Sequence, residues 1–240
     1  MITIIGRGHS GTRAISHALY ASGVFMGAQQ NESGDMLPPD DLYTACRVMA
    51  QYVKHLGGNR WDFSHLHTMP IDPVFEFLVR RYLRHVLARK EPRGWKLPET
   101  TLIYPWIVRM FPDIDYIFWV RDPRDSILAA HLTDDLADFG VSYEHLENDD
   151  LHMRRAISWK YQRDIVRATP PPKRKIEVRF EDFVLKNEET SRRLEAFLGF
   201  PMGRVITRPE AVYRWKTSGL DFTRFENLFD QEITDLGYDR

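Results

Sequence analysis

Ile2-Thr3-Ile4-Ile5-Gly6-Arg7-Gly8-His9-Ser10-Gly11-Thr12-Arg13 decides the fold. Its first four residues are β-prone and, but for one threonine, apolar, which reads as a buried strand. A glycine-rich turn follows, and Ile15, Ala18 and Leu19 recur at the spacing of one helix face, predicting a helix over residues 12–21. Strand, glycine loop and helix in that order form an anion cradle. Glycines let backbone N–H groups turn inward, and the first helical turn supplies unpaired amides with a partial positive charge. Ser10 and Thr12 add hydroxyl donors. The competing reading is a plain glycine-rich turn; the flanking strand and helix favour the cradle.

Outward from this segment, short β-rich runs alternate with longer helical patterns. Helices are expected over residues 38–56, 73–88, 101–110, 124–138 and 145–168, and strands over 94–97, 116–120 and 176–180. Asn187 is expected to cap a helix that buries Leu194, Phe197 and Leu198 and ends at Gly199. The last forty residues read as irregular, with one helix over 222–230. The alternation predicts an α/β fold, a three-layer sandwich around a central parallel sheet. No internal repeat or dividing linker interrupts it, so residues 1–240 are expected to form one domain.

Composition narrows the function. Net charge is -1 across 240 residues, so no global field draws the chain to nucleic acid or an acidic membrane, and an anion site must be local. The N-terminus lacks the pattern of a signal peptide, and no window reaches the length of a membrane span. With Cys46 as the one cysteine, no intrachain disulfide can form. A cytoplasmic protein is expected. His65 and His67 form an H-x-H pair, but no spacing matches a zinc site, so no metal is expected. For His131 an approach to the anion site competes with a surface or capping role, and the latter is favoured. Trp61, Phe63, Phe75 and Phe77 read as core or as pocket wall.

The loop departs from the nucleoside-triphosphate pattern G-x-x-x-x-G-K-[ST]. Gly6 and Gly11 fit, but Thr12 stands in the lysine position and Arg13 in that of the metal-binding hydroxyl. Ser10-Gly11-Thr12 instead resembles the phosphosulfate loop of the sulfotransferase family. Further segments fall in that family's order: Trp95-Lys96-Leu97-Pro98; Tyr116 to Asp125 (YIFWVRDPRD); Val178-Arg179-Phe180-Glu181-Asp182-Phe183; Phe197-Leu198-Gly199-Phe200-Pro201; Arg214-Trp215-Lys216; and Leu236-Gly237-Tyr238. The resemblance spans nearly the whole chain. It implies a P-loop NTPase-like sulfotransferase fold and, as cofactor, 3′-phosphoadenosine 5′-phosphosulfate (PAPS), with a small-molecule or carbohydrate acceptor.

The resemblance also assigns roles. Arg7, Gly8, His9, Ser10, Gly11, Thr12 and Arg13 would hold the phosphosulfate, and Arg121, Ser126, Arg214 and Lys216 would serve the rest of the nucleotide. His9 stands where the family has lysine or arginine, with Arg7 or Arg13 to supply the charge. Ala129 stands at the family's 3′-phosphate serine, with Ser126 as substitute. Lys96 would neutralise charge on the transferring group. Arg121 ends the most apolar strand, where a charge is costly to bury without an anion; the 3′-phosphate and a salt bridge to Asp122 or Asp125 compete for it. In the family's glutamate branch the general base lies in the loop after the first helix. Glu32 is the candidate here and Asp35 the reserve. Loops 23–39 and 57–73 are expected to shape the acceptor pocket. The rival readings are a nucleotide kinase-like phosphotransferase and a non-catalytic nucleotide-binding module.

Overall fold

β1 (Ile2–Ile5) lies inside a four-stranded parallel sheet, between β4 (Gly94–Trp95) and β5 (Asp115–Val120), with β6 (Lys175–Arg179) completing the order β4-β1-β5-β6. The structure is a computed structural model that describes residues 1–144 and 150–238. Both faces of β5 are covered, as its unbroken apolar run requires. Tyr116 and Phe118 enter the core built on α2 (Asp40–Ala50), α4 (Pro73–Tyr82) and α6 (Tyr104–Met110). Ile117 and Trp119 enter the opposite core with Ile15 and Leu19 of α1 (Thr12–Ala21), Phe183 of α9 (Phe180–Leu185) and Leu194 of α10 (Asn187–Leu198). This is the three-layer α/β arrangement that the strand–helix alternation predicts. A third cluster joins Ile127 to Trp159 of α8 (Leu151–Ala168) and to Phe229 and Ile233 of α11 (Glu226–Asp235).

Several elements depart from expectation for local reasons. The helix over 38–56 stops at Ala50, because Gly57, Gly58 and Asn59 take positive φ and close a hairpin of β2 (Lys54–Gly57) and β3 (Arg60–Asp62). After the short α3 (Ser64–Thr68), the helix expected over 73–88 divides into α4 and α5 (Arg84–Leu87). The helix over 101–110 begins as a 3-10 turn, Pro98–Ile103. The largest correction concerns 124–138. Only α7 (Pro123–Ser126) is helical there; tight 3-10 turns follow at Leu132–Asp134 and Leu136–Phe139. The side chains of His131, Asp134 and Asp135 bond to nearby backbone amides and so compete with helix propagation. α8 starts after Asp150, whose carboxylate caps His152 and Met153 (3.1 Å each); residues 145–149 of that expected helix lie outside the described residues. Asn187 is not the cap of α10 but its first residue, and donates to Phe183 O (2.9 Å). Gly199 ends that helix at φ +81°. The final helix lies later than expected, behind a turn at Thr223–Phe225.

One buried ion cluster fastens the loop after β1 to these turns. Asp134 accepts from Arg7, from Arg155 Nε of α8 (3.2 Å) and from the backbone N–H of His131 (2.7 Å). Arg7 also donates to Ser126 O (2.8 Å), and Arg155 to Ile127 O (3.1 Å). All three charged side chains are buried. Removing one partner leaves uncompensated charge in low dielectric. Asp134→Ala is therefore expected to cost about 3–5 kcal/mol of stability in urea denaturation; a loss below about 1 kcal/mol would mean that the cluster behaves like a surface pair.

Candidate active site

The loop after β1 is shaped by what its side chains cannot occupy. A Cβ on Gly8 would fall 2.0 Å from the His131 ring, and Gly11 combines φ +87° with the Phe180 ring 2.3 Å from where its Cβ would be. Trp119 Nε1 donates to Ser10 O (2.9 Å), and Gly6 N to Thr101 Oγ1 (2.9 Å), pinning the loop to the sheet. The amides of Thr12 and Arg13 open α1, and among the described residues no protein group accepts from them.

Beside this loop lies a cleft of about 730 Å³. Gly8, His9, Gly11, Thr12 and Arg13 line it, and Lys96, Arg121 and Arg214 reach it from elsewhere in the chain. Arg208 and His17, which the sequence reading passed over, line it too. Asp35 is the one carboxylate in the lining among the described residues. Cations predominate, which suits a polyanionic ligand.

Other expected residues are placed away from the cleft. Arg7 is turned inward onto Asp134. The Ser10 hydroxyl donates to Arg7 O, within the loop. Ser126 is fully buried; its hydroxyl donates to Asp122 O (3.0 Å), so it does not stand in for the serine that Ala129 replaces. Lys216 is exposed, its ammonium over the Tyr213 ring at 4.9 Å. Trp61, Phe63 and Phe75 belong to the core, whereas Phe77 is exposed. Residues 57–73 contribute nothing to the lining among the described residues; residues 33 and 35 of the earlier loop do.

Arg121 makes the salt bridge weighed for it. It donates to Asp125 Oδ2 (3.1 Å), to His9 O (2.9 Å) and to Ala211 O, and its guanidinium stacks on Phe180 at 4.6 Å. It also borders the cleft, and among the described residues its buried Nε has no hydrogen-bond partner.

Lys96 follows β4 and is almost wholly buried. Its ammonium donates to Ser33 O (2.7 Å) and to Asp35. Burial pulls its pKa below the ordinary value, and Asp35 opposes the fall. The turn at 31–35 explains why Asp35 and not Glu32 sits here. Asn31 Oδ1 accepts from the amides of Ser33 and Asp35 (2.9 Å each), which leaves Glu32 at the exposed tip and outside the cleft lining. The longer reach of Glu32 does not help it, because the Asx turn aims it at solvent.

Two further groups escaped the sequence reading in whole or part. His131 does cap a turn, with Nδ1 accepting from Thr133 N (3.2 Å), but its ring also packs on Gly8 and lines the cleft. Glu99 is buried within 3.9 Å of His131 Nε2, and among the described residues its Oε2 has no partner. The available signal was a carboxylate three residues past the strand-end Lys96. Burial foremost, with Asp35 adding to it, pushes the Glu99 pKa from 4.5 to about 7. The unfolded chain titrates near 4.5, so the stability this neutral carboxyl confers is whole below that pH and is lost as pH rises to about 7. Glu99→Gln should match the parent near pH 4 and exceed it by about 3 kcal/mol at pH 8, read from paired urea titrations. A constant difference across that range would contradict the shift.

Among the described residues no helix is long and apolar enough to cross a membrane, and no three His, Cys, Asp or Glu side chains are grouped to hold a metal ion. Solved structures share the fold at low identity. The sulfotransferase domain of the curacin biosynthetic pathway is 14% identical with a TM-score of 0.59, covering 100% of this chain and 98% of that one. The sulfotransferase domain of the Synechococcus PCC 7002 olefin synthase is 15% identical with a TM-score of 0.58, covering 100% and 95%. A sulfotransferase from Alicyclobacillus acidocaldarius is 14% identical with a TM-score of 0.52, covering 100% and 96%. No curated protein matches the chain. The family model described as the Sulfotransferase family matches residues 2–204, which take in the loop, Lys96, Arg121 and the whole parallel sheet, and the chain accordingly belongs to that family.

Proposed function

We propose that the chain is a PAPS-dependent sulfotransferase acting on a hydroxyl or amine of a small-molecule or carbohydrate acceptor, in the cytoplasm. Family and fold support a sulfotransfer reaction in general. The observation that carries the finer reading is one cleft that joins unpartnered first-turn amides to Arg13, Lys96, Arg121, Arg208 and Arg214. Phosphosulfate and a 3′-phosphate are separate anionic groups, and these donors come from separate parts of the chain. The kinase-like alternative needs the lysine and metal-binding hydroxyl that Thr12 and Arg13 replace.

When bound, PAPS supplies the sulfuryl group: the acceptor oxygen or nitrogen bonds to sulfur while the sulfur–oxygen bond to phosphate breaks, its electron pair passing to the phosphate. The chain's residues divide the remaining work. The amides of Thr12 and Arg13 and the Thr12 hydroxyl bind the 5′ side. Arg121 and Arg214 bind the 3′-phosphate. Lys96, already at the cleft edge, neutralises charge on the departing phosphate oxygen. Asp35, once Lys96 is drawn to that anion, holds the acceptor proton.

Calorimetry with adenosine 3′,5′-bisphosphate, followed by transfer of labelled sulfate from PAPS to a panel of acceptors, tests the reading; binding of ATP with magnesium in preference to the bisphosphate would defeat it. Arg121→Ala should weaken the bisphosphate at least tenfold more than adenosine 5′-phosphosulfate, which lacks the 3′-phosphate. Equal weakening of both would assign Arg121 a purely structural part. Asp35→Asn should leave nucleotide affinity intact and cut turnover by about 10²–10⁴, whereas Glu32→Gln should be near normal. The reverse pattern would return the base to Glu32.

A further inference from the structure

The mechanism above leaves His131 unused, yet its ring is held more tightly than a turn cap requires. A Cβ on Gly8 would lie 2.1 Å from Nε2, so that ring edge rests on the glycine loop itself. The other nitrogen is occupied. Nδ1 accepts from the backbone N–H of Thr133 (3.2 Å), and the Thr133 hydroxyl stands 2.9 Å away. That hydroxyl accepts from Gln162 Nε2 (3.2 Å). A nitrogen that accepts from a backbone N–H carries no hydrogen, so the single proton of the neutral ring is on Nε2.

The surroundings keep the ring neutral. Arg7 and His9 face it from the loop and Lys96 from the segment after β4. Glu99 lies beside Nε2, and Asp134, on the same turn, binds the His131 backbone. Burial first, then Arg7, His9 and Lys96, push its pKa down to about 3. The nearest carboxylate oxygen, Glu99 Oε1, is 3.9 Å from Nε2, beyond hydrogen-bond length. What borders the cleft is an N–H donor of fixed tautomer, resting on the phosphate loop and, among the described residues, without a partner within reach.

We infer that His131 is a further catalytic residue, a neutral imidazole that donates its Nε2 hydrogen to an oxygen of the transferring sulfuryl group. The inference rests on the PAPS reading of the site. His131 keeps its proton throughout: the proton of the acceptor passes to Asp35, and the electron pair of the broken sulfur–oxygen bond stays with the departing phosphate. A preorganised donor at this position favours the charge spread over the sulfuryl oxygens without proton transfer.

Three measurements test it. In ¹⁵N-histidine-labelled protein, the ring signals lost in His131→Gln should report hydrogen on Nε2 and no titration between about pH 5.5 and 8; hydrogen on Nδ1, or a midpoint inside that window, would overturn the donor role. By calorimetry, His131→Ala should weaken PAPS about tenfold and leave adenosine 3′,5′-bisphosphate, which has no sulfuryl group, unchanged. Its turnover should fall about 10²-fold, and His131→Gln, which restores an N–H donor, should recover most of the loss. PAPS affinity and turnover as in the parent, or equal weakening of both ligands by the folded glutamine variant, would refute the inference. Parent protein that binds neither nucleotide would instead refute the PAPS reading on which it stands.

Discussion

Asp134 between Arg7 and Arg155 is the interaction on which the site depends. Three buried charges are tolerable only when they meet one another, and they meet here because loop, turn and α8 are drawn together at one point. The same contact determines what the loop offers. With Arg7 turned inward, its positive charge is used to hold the loop's shape, and the cleft beside it is lined by backbone of the loop and by cations arriving from other segments. It also dictates the tight turns after α7, since Asp134 serves Arg7 and the His131 amide only from a folded-back chain.

The parallel sheet does the remaining positioning. The loop follows β1, Lys96 follows β4, Arg121 follows β5 and Phe180 follows β6, so all four come out at the same edge. Ligands of open α/β sheets bind at the carboxyl ends of the strands for this reason: parallel strands collect residues distant in sequence along one rim. Phe180 is the quiet member of the set. It backs Gly11 and carries the Arg121 guanidinium on its face, setting loop and arginine at a fixed spacing.

What was legible in the sequence follows from how local its cause is. β1, the glycine loop and β5 could be read because an unbroken apolar run has few ways to be buried. Arg121 could be singled out because a charge closing such a run needs an explanation, whereas Lys96 rested on the family resemblance. Ser126 misled, since nearness in sequence to a strand end says nothing about direction inside a four-residue helix. Glu32 misled because the side chain of Asn31, not the reach of the carboxylate, decides which acid faces inward. His131 was half read: its cap is a local pattern, but its rest on Gly8 spans more than a hundred residues and has no local signature.

Cys46 lies in the same packed region as Glu99, whose carbonyl oxygen is 3.6 Å from its sulfur. The thiol is buried on α2, and burial, with the Glu99 charge adding to it, holds its pKa well above the ordinary value. A thiol-reactive dye therefore has no purchase on the closed molecule and reports only its openings. The chain thus carries a built-in probe of breathing beneath the cleft: a nucleotide that tightens this region should be visible as slower labelling of a single sulfur, with no engineered tag required.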